Sequence, residues 1–289
     1  MSEYCSQNLN SSSFKRDSSW VVLSPIEKQI KEKIEQLGKP LKDWGINIYR
    51  GILTGYNEAF IIDGETKDAL IAKSAKNAEI IRPILRGRDI KRYKADFANL
   101  WLLNVHNGTS TTPAVDINDY PEIKAHLDQF YPALEKRQDK GITPYNLRSC
   151  IYTDDFSKQK IVYPNMTKFL PFYYDDKGYF TNQKCFIITG ERIGFLSAFF
   201  NSILFRFCFK NNFPELFGDT RELSKIFFEQ IPVIEVDDFI DTNFTELVKE
   251  ISDMKIAGKE TKTIENQIDQ IIFELYKLTP EEISFINSQ

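Results

Sequence analysis

Near the start of the chain, apolar residues recur every three or four positions, which is the period of an amphipathic helix. The stripe runs from Ile26 to Leu37, and Gly38 ends it. Ser24 and Pro25 stand directly before it; serine is a good helix N-cap and proline suits the first helical position. The pattern therefore predicts a helix whose apolar face must pack against another element.

A second region of helical periodicity lies at the other end of the chain. One apolar stripe runs from Phe244 to Ile251, Gly258 interrupts the pattern, and another stripe runs from Ile264 to Leu278. Two such stripes predict a helical hairpin. Its apolar faces can form a small bundle with the N-terminal helix or mediate dimerisation, and the sequence leaves both open.

Between these ends, strand and helix patterns alternate. Six short apolar runs, most of which end in turn-forming residues, predict strands. They are residues 46–50, 59–63, 100–104, 160–163, 171–174 and 185–189. Residues 121–137 predict an amphipathic helix, and the broad apolar face of residues 193–210 predicts a central core helix. The expected fold class is α/β with a mixed sheet (α+β) and an appended C-terminal helical hairpin.

The same patterns divide the chain into four parts. Residues 1–20 are polar and rich in serine, which is typical of a disordered tail. The remaining parts are an N-terminal helix (21–39), the α/β body (40–236) and the helical hairpin (237–289).

Composition narrows the class of protein. The chain has 289 residues, of which 42% are hydrophobic and 27% are charged, as in an ordinary globular domain. Its 4 cysteines and 2 histidines are too scattered for a zinc site or a disulfide framework, so we expect a reducing, cytoplasmic location. The longest charge-free apolar run, residues 193–205, is shorter than the roughly 20 residues that span a bilayer. We expect no association with a membrane.

Charge is distributed unevenly along the chain. The net charge is −4, but thirteen acidic residues and five lysines between residues 235 and 289 give that region −8. Residues 67–94, in contrast, contain nine lysines and arginines and three acidic residues. This asymmetry indicates a basic face suited to phosphates, with an acidic helical appendix turned away from it. A merely solvated charge run is the alternative.

Two segments of the body have the most informative sequences. GILTGYNEAFIID (51–63) places two glycines between apolar runs, and IIRPILRGRDIKRY (80–93) is strongly basic. Both resemble the TaqI-like C-terminal specificity domain, the target-recognition module of bacterial type IIG restriction–modification enzymes and related adenine-N6 DNA methyltransferases. The resemblance extends toward the C-terminus, because five further segments follow in the same order as in that domain. They are KIVYPNM (160–166), FTNQKCFIIT (180–189), GFLSAFFNSILFRF (194–207), IFFEQIPV (226–233) and IENQIDQIIFELYKLTPEEI (264–283).

This resemblance implies a module that reads double-stranded DNA on behalf of a methyltransferase or nuclease region, in cis or in trans. It implies that the helices act as spacers and docking arms. S-adenosylmethionine and Mg²⁺ are then expected only in the catalytic region.

The chain itself lacks residues that such catalysis needs. Amino-methyltransferases use a glycine-rich turn and an Asp/Asn-Pro-Pro-aromatic segment, but the sequence has no Gly-x-Gly and no adjacent prolines. Glu-x-Lys triplets of the kind found at metal-dependent nuclease sites begin at Glu65, Glu122 and Glu260, about as often as chance gives. His106 and His126 have no evident catalytic companions. We therefore expect no catalytic residues, cofactor or metal in this chain.

Candidate DNA-contacting residues begin with two groups. The polar side chains at the GILTGYNEAF turn are Thr54, Tyr56 and Asn57, for which a polar hairpin tip is the alternative. The second group consists of cations from the basic region of residues 67–94: Lys73, Arg82, Arg86, Arg88, Lys91 and Arg92. Arginine and lysine suit phosphates, and we expect Pro83 and Gly87 to fix a loop that presents them. Because the RGRDI-like segment is shared within the resembling family, we expect it to hold structure or phosphate, and Asp89 can pair with one of its arginines.

A third group lies in or beside the segments between the shared motifs. Family members that recognise different DNA sequences can differ in these segments. Its members have side chains suited to base edges or to stacking. They are Arg148, Asn165, Lys168, Tyr173, Tyr174 and Asn182. The sequence thus predicts a non-catalytic DNA target-recognition domain. A protein-interaction module that keeps the fold without DNA binding is the main alternative, and a small-molecule-binding α/β domain is a weaker one.

Overall fold

The described part of the chain begins with the helix that the sequence predicts. A computed structural model describes residues 23–109, 112–210 and 215–289, and the predicted tail lies outside these ranges. Helix α1 spans Pro25–Leu37. The Glu27 amide donates to Ser24 Oγ at 3.4 Å, and the Ser24 amide donates to Glu27 Oε2 at 2.7 Å. This capping box satisfies two amides at the start of the helix, and the predicted start is confirmed.

Two four-stranded sheets form the body. The first is antiparallel throughout and has the order β10 (Tyr173–Asp175), β8 (Lys160–Pro164), β12 (Cys185–Gly190) and β2 (Ile46–Arg50). The second has the order β11 (Phe180–Thr181), β4 (Ile81–Leu85), β7 (Leu100–Leu103) and β3 (Ile61–Asp63), with only β11 and β4 parallel. Two-stranded ladders join β1 (Gly38–Pro40) to β14 (Pro232–Ile234), β5 (Ile90–Lys91) to β6 (Lys94–Ala95), and β9 (Met166–Thr167) to β13 (Arg221–Glu222).

Pro83 lies in strand β4, so the predicted loop held by Pro83 and Gly87 is wrong at Pro83. Arg82 and Pro83 pair with β7, opposite Leu102 and Trp101. On its other side β4 pairs with β11 only at its last two residues, so the Pro83 position is open on one side. A strand tolerates proline at such an edge position because no ladder hydrogen bond is lost there.

The antiparallel sheet is a central layer between two hydrophobic clusters. Ile161 and Tyr163 of β8 point into the first cluster, while Val162 between them points into the second. Strand β12 divides in the same way, with Ile188 in the first cluster and Ile187 in the second. Since successive side chains of a strand face opposite sides, both faces of this sheet are buried, which explains the nearly continuous apolar runs in its sequence.

Short helices cover the second cluster, and two of the predicted elements in this region differ from the structure. They are α2 (Asn57–Phe60), α3 (Gly64–Lys73), α4 (Pro121–Asp128) and α5 (Tyr131–Lys136). Residues 57–60 are helical, so the predicted strand 59–63 is wrong in its first half. The predicted helix 121–137 is split because Pro132 lacks an amide hydrogen and its ring would clash with the carbonyl of Asp128.

The predicted core helix 193–210 is also split in two. It consists of α6 (Ile193–Asn201) and α7 (Ile203–Phe209), and Ser202 between them has extended backbone angles. The Ser202 hydroxyl donates to the Phe199 carbonyl at 2.6 Å and accepts from the Phe205 amide at 3.1 Å. The serine therefore ends one helix and caps the next. A short helix α8 (Lys225–Phe228) follows.

The predicted C-terminal hairpin is confirmed and is followed by a further helix. Helices α9 (Asp238–Ile256), α10 (Lys262–Leu275) and α11 (Pro280–Asn287) share the first hydrophobic cluster with α1, α6 and α7. Helix α9 packs so closely on α6 that a Cβ atom at Gly194 would collide with Thr245. The predicted domain boundaries remain a prediction. No helix in the described ranges is long and apolar enough to cross a membrane.

Candidate nucleic-acid interface

The basic segment (80–93) contains a turn that is held by the carboxylate of Asp89. Residues Gly87–Asp89 form a single 3-10 turn after β4. Arg86 donates to Asp89 through Nε at 2.9 Å and through Nη2 at 2.8 Å, and the Arg86 amide donates to the same carboxylate at 2.8 Å. Hydrogen bonding to Asp89 raises the pKa of Arg86. The expected internal pairing of Asp89 is confirmed, and it fixes the path of the basic loop.

Backbone hydrogen bonds bring two distant segments against this turn. The Asn182 amide donates to the Leu85 carbonyl at 3.1 Å, and the Asn165 amide donates to the Lys184 carbonyl at 2.8 Å. A Cβ atom at Gly87 would lie 3.4 Å from the Lys184 carbonyl oxygen. Residues 86–92, 164–171 and 182–184, which are separate in sequence, thus form one continuous wall.

These segments and α7 enclose a groove of about 800 Å³, which we call the basic groove. Its charged lining residues are all cations, and no aspartate or glutamate of the described ranges lines it. The cations are Arg86, Arg88, Lys91, Arg92, Lys168, Lys184 and Arg206. Burial, and secondarily the nearby Arg92, lower the pKa of Arg206, as expected in a region of positive potential.

The cations of the groove fall into two classes. Arg86, Lys91, Arg92 and Arg206 are bound to protein groups. Lys91 donates to the Arg88 carbonyl at 2.8 Å, and Arg92 donates to the Asn201 carbonyl at 2.7 and 3.1 Å and to the Glu265 carboxylate of α10. Arg88, Lys168 and Lys184, in contrast, make no side-chain hydrogen bond or ion pair with any residue in the described ranges. The three free cations are therefore available to a ligand without loss of an internal contact.

Arg92 also shows where the acidic arm lies relative to the basic segment. Glu265, which binds Arg92, accepts further hydrogen bonds from Thr261 Oγ1 at 2.6 Å and Lys255 Nζ at 2.9 Å. Burial alone would raise the pKa of Glu265, but these hydrogen bonds and Arg92 hold it at about 2. At this contact the arm meets the basic segment, whereas the sequence predicted that it turns away.

Two large apolar side chains are exposed at the same groove. Met166 is 52% exposed and Phe169 is 75% exposed, and both line it. Asn165 also lines the groove, and its side-chain carboxamide has no hydrogen-bond partner in the described ranges. The groove therefore offers cations, an amide and an aromatic ring to a ligand.

The structure brings about half of the predicted contact residues to the groove. They are Arg86, Arg88, Lys91, Arg92, Asn165, Lys168 and Asn182. Lys184 and Arg206 also line the groove, although neither was predicted from the sequence to contact DNA. Lys184 lies within one of the quoted motifs, and Arg206 is a lone cation in an otherwise apolar helix, which was the available signal.

Several predicted residues lie outside the groove and bind neighbouring groups. Arg82 donates to the carbonyl of Glu79 at 2.7 Å, and Arg148 donates to Asp139 at 3.1 Å. Lys73 is exposed at the end of α3. None of these three cations lines the groove.

The polar residues of the GILTGYNEAF turn also lie elsewhere. Thr54 is buried and donates to Asn57 Oδ1 at 2.6 Å, and Tyr56 donates to Glu58 at 2.9 Å. Tyr173 and Tyr174 are 3% and 4% exposed in β10, and burial raises the pKa of Tyr174 to about 12. Such buried rings cannot reach a base without displacing the strand.

Nothing in the described ranges offers a metal site. No group of three or more histidine, cysteine, aspartate or glutamate side chains is placed to hold a metal ion there. The two histidines contact backbone groups: His106 Nδ1 accepts from the Gly108 amide at 3.2 Å, and His126 Nε2 lies 3.1 Å from the Ala59 carbonyl.

The fold is shared with parts of two restriction–modification enzymes of known structure. The chain is similar to the type IIL restriction–modification enzyme MmeI, solved in complex with DNA, with a TM-score of 0.58 and 11% identity over 86% of this chain and 36% of that one. It is also similar to the type IIG restriction endonuclease BpuSI, with a TM-score of 0.51 and 17% identity over 90% of this chain and 34% of that one. The chain spans about a third of the length of these enzymes.

The sequence match is to the specificity domain itself. Residues 82–233 match the model of the TaqI-like C-terminal specificity domain. The match covers more than half of the chain, and the chain belongs to this family.

Proposed function

We propose that this specificity domain recognises double-stranded DNA through the basic groove, as the target-recognition module of a restriction–modification system. The observation that supports this most is the lining of the groove, in which every charged residue that the structure describes is a cation. Duplex DNA carries one phosphate charge per roughly 1.7 Å of its axis, so a continuous cationic wall matches its charge density.

The contacts divide by chemistry. Among the described residues, the side chains of Arg88, Lys168 and Lys184 have no partners, so they can bind phosphates without breaking a contact within that part of the chain. Asn165 can pair with an adenine edge, which an asparagine amide fits bidentately. Phosphate contacts hold the duplex in register, and base contacts then select the sequence.

The catalytic region is proposed to lie outside this chain, in cis or in trans. The residues present do not fit S-adenosylmethionine, because the sequence has neither Gly-x-Gly nor adjacent prolines. They also do not fit Mg²⁺, because no suitable cluster of carboxylates occurs in the described ranges. No catalytic step is assigned to this chain.

The groove is tested by the salt dependence of DNA binding. In fluorescence anisotropy with a labelled random-sequence duplex, log K should fall with log salt by about 0.9 for each phosphate contact. Replacement of Arg88, Lys168 and Lys184 together by alanine should weaken binding to every sequence and reduce the slope by about 0.9 per lost contact.

Lys42→Ala is the matched control, since Lys42 is an exposed lysine that does not line the groove. It should leave the slope unchanged. If the wild-type chain does not bind DNA, or if the triple variant binds as well as wild type, the groove is not the DNA surface. The first outcome would favour a protein-interaction module.

A further inference from the structure

We propose that Phe169 is a wedge that inserts at a base-pair step of the bound duplex and unstacks it. This inference rests on the proposed DNA-binding function of the groove and specifies how one residue acts there. Aromatic and aliphatic side chains that enter between base steps are a known physical means of bending DNA. No other phenylalanine of the described ranges lines the groove.

Phe169 is one of the most exposed large apolar side chains in the described ranges. Three quarters of its surface is accessible to water. Single exposed apolar residues are common on protein surfaces, so exposure alone decides nothing. What distinguishes Phe169 is that the surrounding backbone holds it in this position.

Three contacts fix the backbone around Phe169. Its amide donates to Thr167 Oγ1 at 3.1 Å, and its carbonyl accepts from Arg206 Nη2 at 3.5 Å. The next residue, Leu170, has a φ of 47° and a buried side chain. A left-handed leucine is strained, so burial of its side chain must hold it there. With Leu170 turned into the core, the ring of Phe169 is turned outward.

Residues upstream are held as well. Thr167 pairs with Arg221 in the ladder between β9 and β13. The ring therefore extends from a braced turn, and little conformational freedom remains to be lost when it inserts.

The charges around Phe169 favour DNA over a protein partner as its occupant. Lys168 precedes it directly, Arg206 binds its carbonyl, and no acidic residue of the described ranges lines the groove. A protein partner would have to neutralise these cations, whereas duplex DNA supplies phosphates on both sides of every base step. The arrangement places a ring where a base step would lie if the cations hold the backbone.

Duplexes with a weakened step provide the test. A central mismatched pair reduces the cost of unstacking. In fluorescence anisotropy, the full chain should bind a duplex with a central T·T mismatch about tenfold more tightly than the matched duplex of the same sequence. Phe169→Ala should bind both duplexes alike, while Phe169→Trp should keep the preference because its ring can still stack.

The matched control is Phe239→Ala. Phe239 is 74% exposed, nearly as much as Phe169, but lies at the start of α9 outside the groove. The Phe239→Ala variant should keep the mismatch preference. Equal midpoint temperatures of thermal unfolding in all variants would show that each is folded. If wild type binds DNA without a mismatch preference, or if Phe169→Ala keeps the preference, the proposed insertion of Phe169 is wrong. DNA binding by the basic groove is not contradicted by either result. If wild type binds no DNA, the groove and the wedge both fall.

Discussion

Arg86 and Arg88 are two residues apart, yet the structure gives them different tasks. The guanidinium of Arg86 is bound by Asp89, whose carboxylate also accepts a backbone amide and is 5% exposed. Arg88 lines the same groove without a partner in the described ranges. A charged residue in a basic segment can therefore shape the loop or bind a ligand, and only its contacts distinguish the two.

This difference yields a prediction for paired variants. Asp89→Ala removes three hydrogen bonds to a buried carboxylate, so it should lower the free energy of unfolding by about 3 kcal/mol in urea denaturation. Arg88→Ala should change stability by less than about 0.5 kcal/mol and should weaken DNA binding instead. Equal stability losses in the two variants would contradict the assignment.

Single residues also show how far the site can be read from the sequence. Arg88 and Lys91 were identifiable because they lie in one short basic segment. Lys184 and Arg206 join them only through tertiary contacts, such as the hydrogen bond between the Asn165 amide and the Lys184 carbonyl. Sequence reasoning identifies the kind of side chain, but it cannot show which distant segments meet.

At the scale of elements, local signals are the ones that the sequence predicts well. Helix α1 and the C-terminal hairpin combine a helical period with a cap or a glycine break, and both are confirmed. Helix α11 was missed although Thr279, Pro280 and Glu282 form a complete capping signal. The break between α6 and α7 interrupts a continuous apolar stripe, so periodicity alone could not reveal it.

The break makes Ser202 a structural position that can be tested. Ser202→Ala removes the cap of α7 and one buried hydrogen bond, so the free energy of unfolding should fall by about 1–2 kcal/mol. Ser224→Ala is the control, because Ser224 precedes α8 but its side chain makes no capping hydrogen bond. A similar loss from both replacements would mean that capping is not the cause.

At the scale of the whole molecule, the pair of Arg92 and Glu265 joins the body to the acidic arm. The pKa of Glu265 is about 2 in the folded chain, below its ordinary value of 4.5. Because the folded pKa is lowered, the stabilising contribution is complete above about pH 4.5 and is lost as the pH falls toward 2. The shift corresponds to roughly 3 kcal/mol.

Acid unfolding tests this link. Glu265→Gln should lower stability at neutral pH by a few kcal/mol and should flatten the decline between about pH 4.5 and 2, as measured by urea denaturation at several pH values. Glu274→Gln, on the same helix but exposed, should follow the wild-type curve. If the stability of Glu265→Gln declines between about pH 4.5 and 2 as steeply as that of wild type, the pair does not stabilise the fold.

The sheet that is buried on both faces has a consequence for variation among related modules. Its strands keep their apolar side chains in two cores. Arg88, Asn165, Lys168 and Lys184 lie in connections, and their side chains make no hydrogen bond with residues that the structure describes. Replacement of these four side chains should therefore change the free energy of unfolding very little. A lineage can exchange them one at a time, and each intermediate remains a folded protein, so new recognition can evolve without an unstable ancestor.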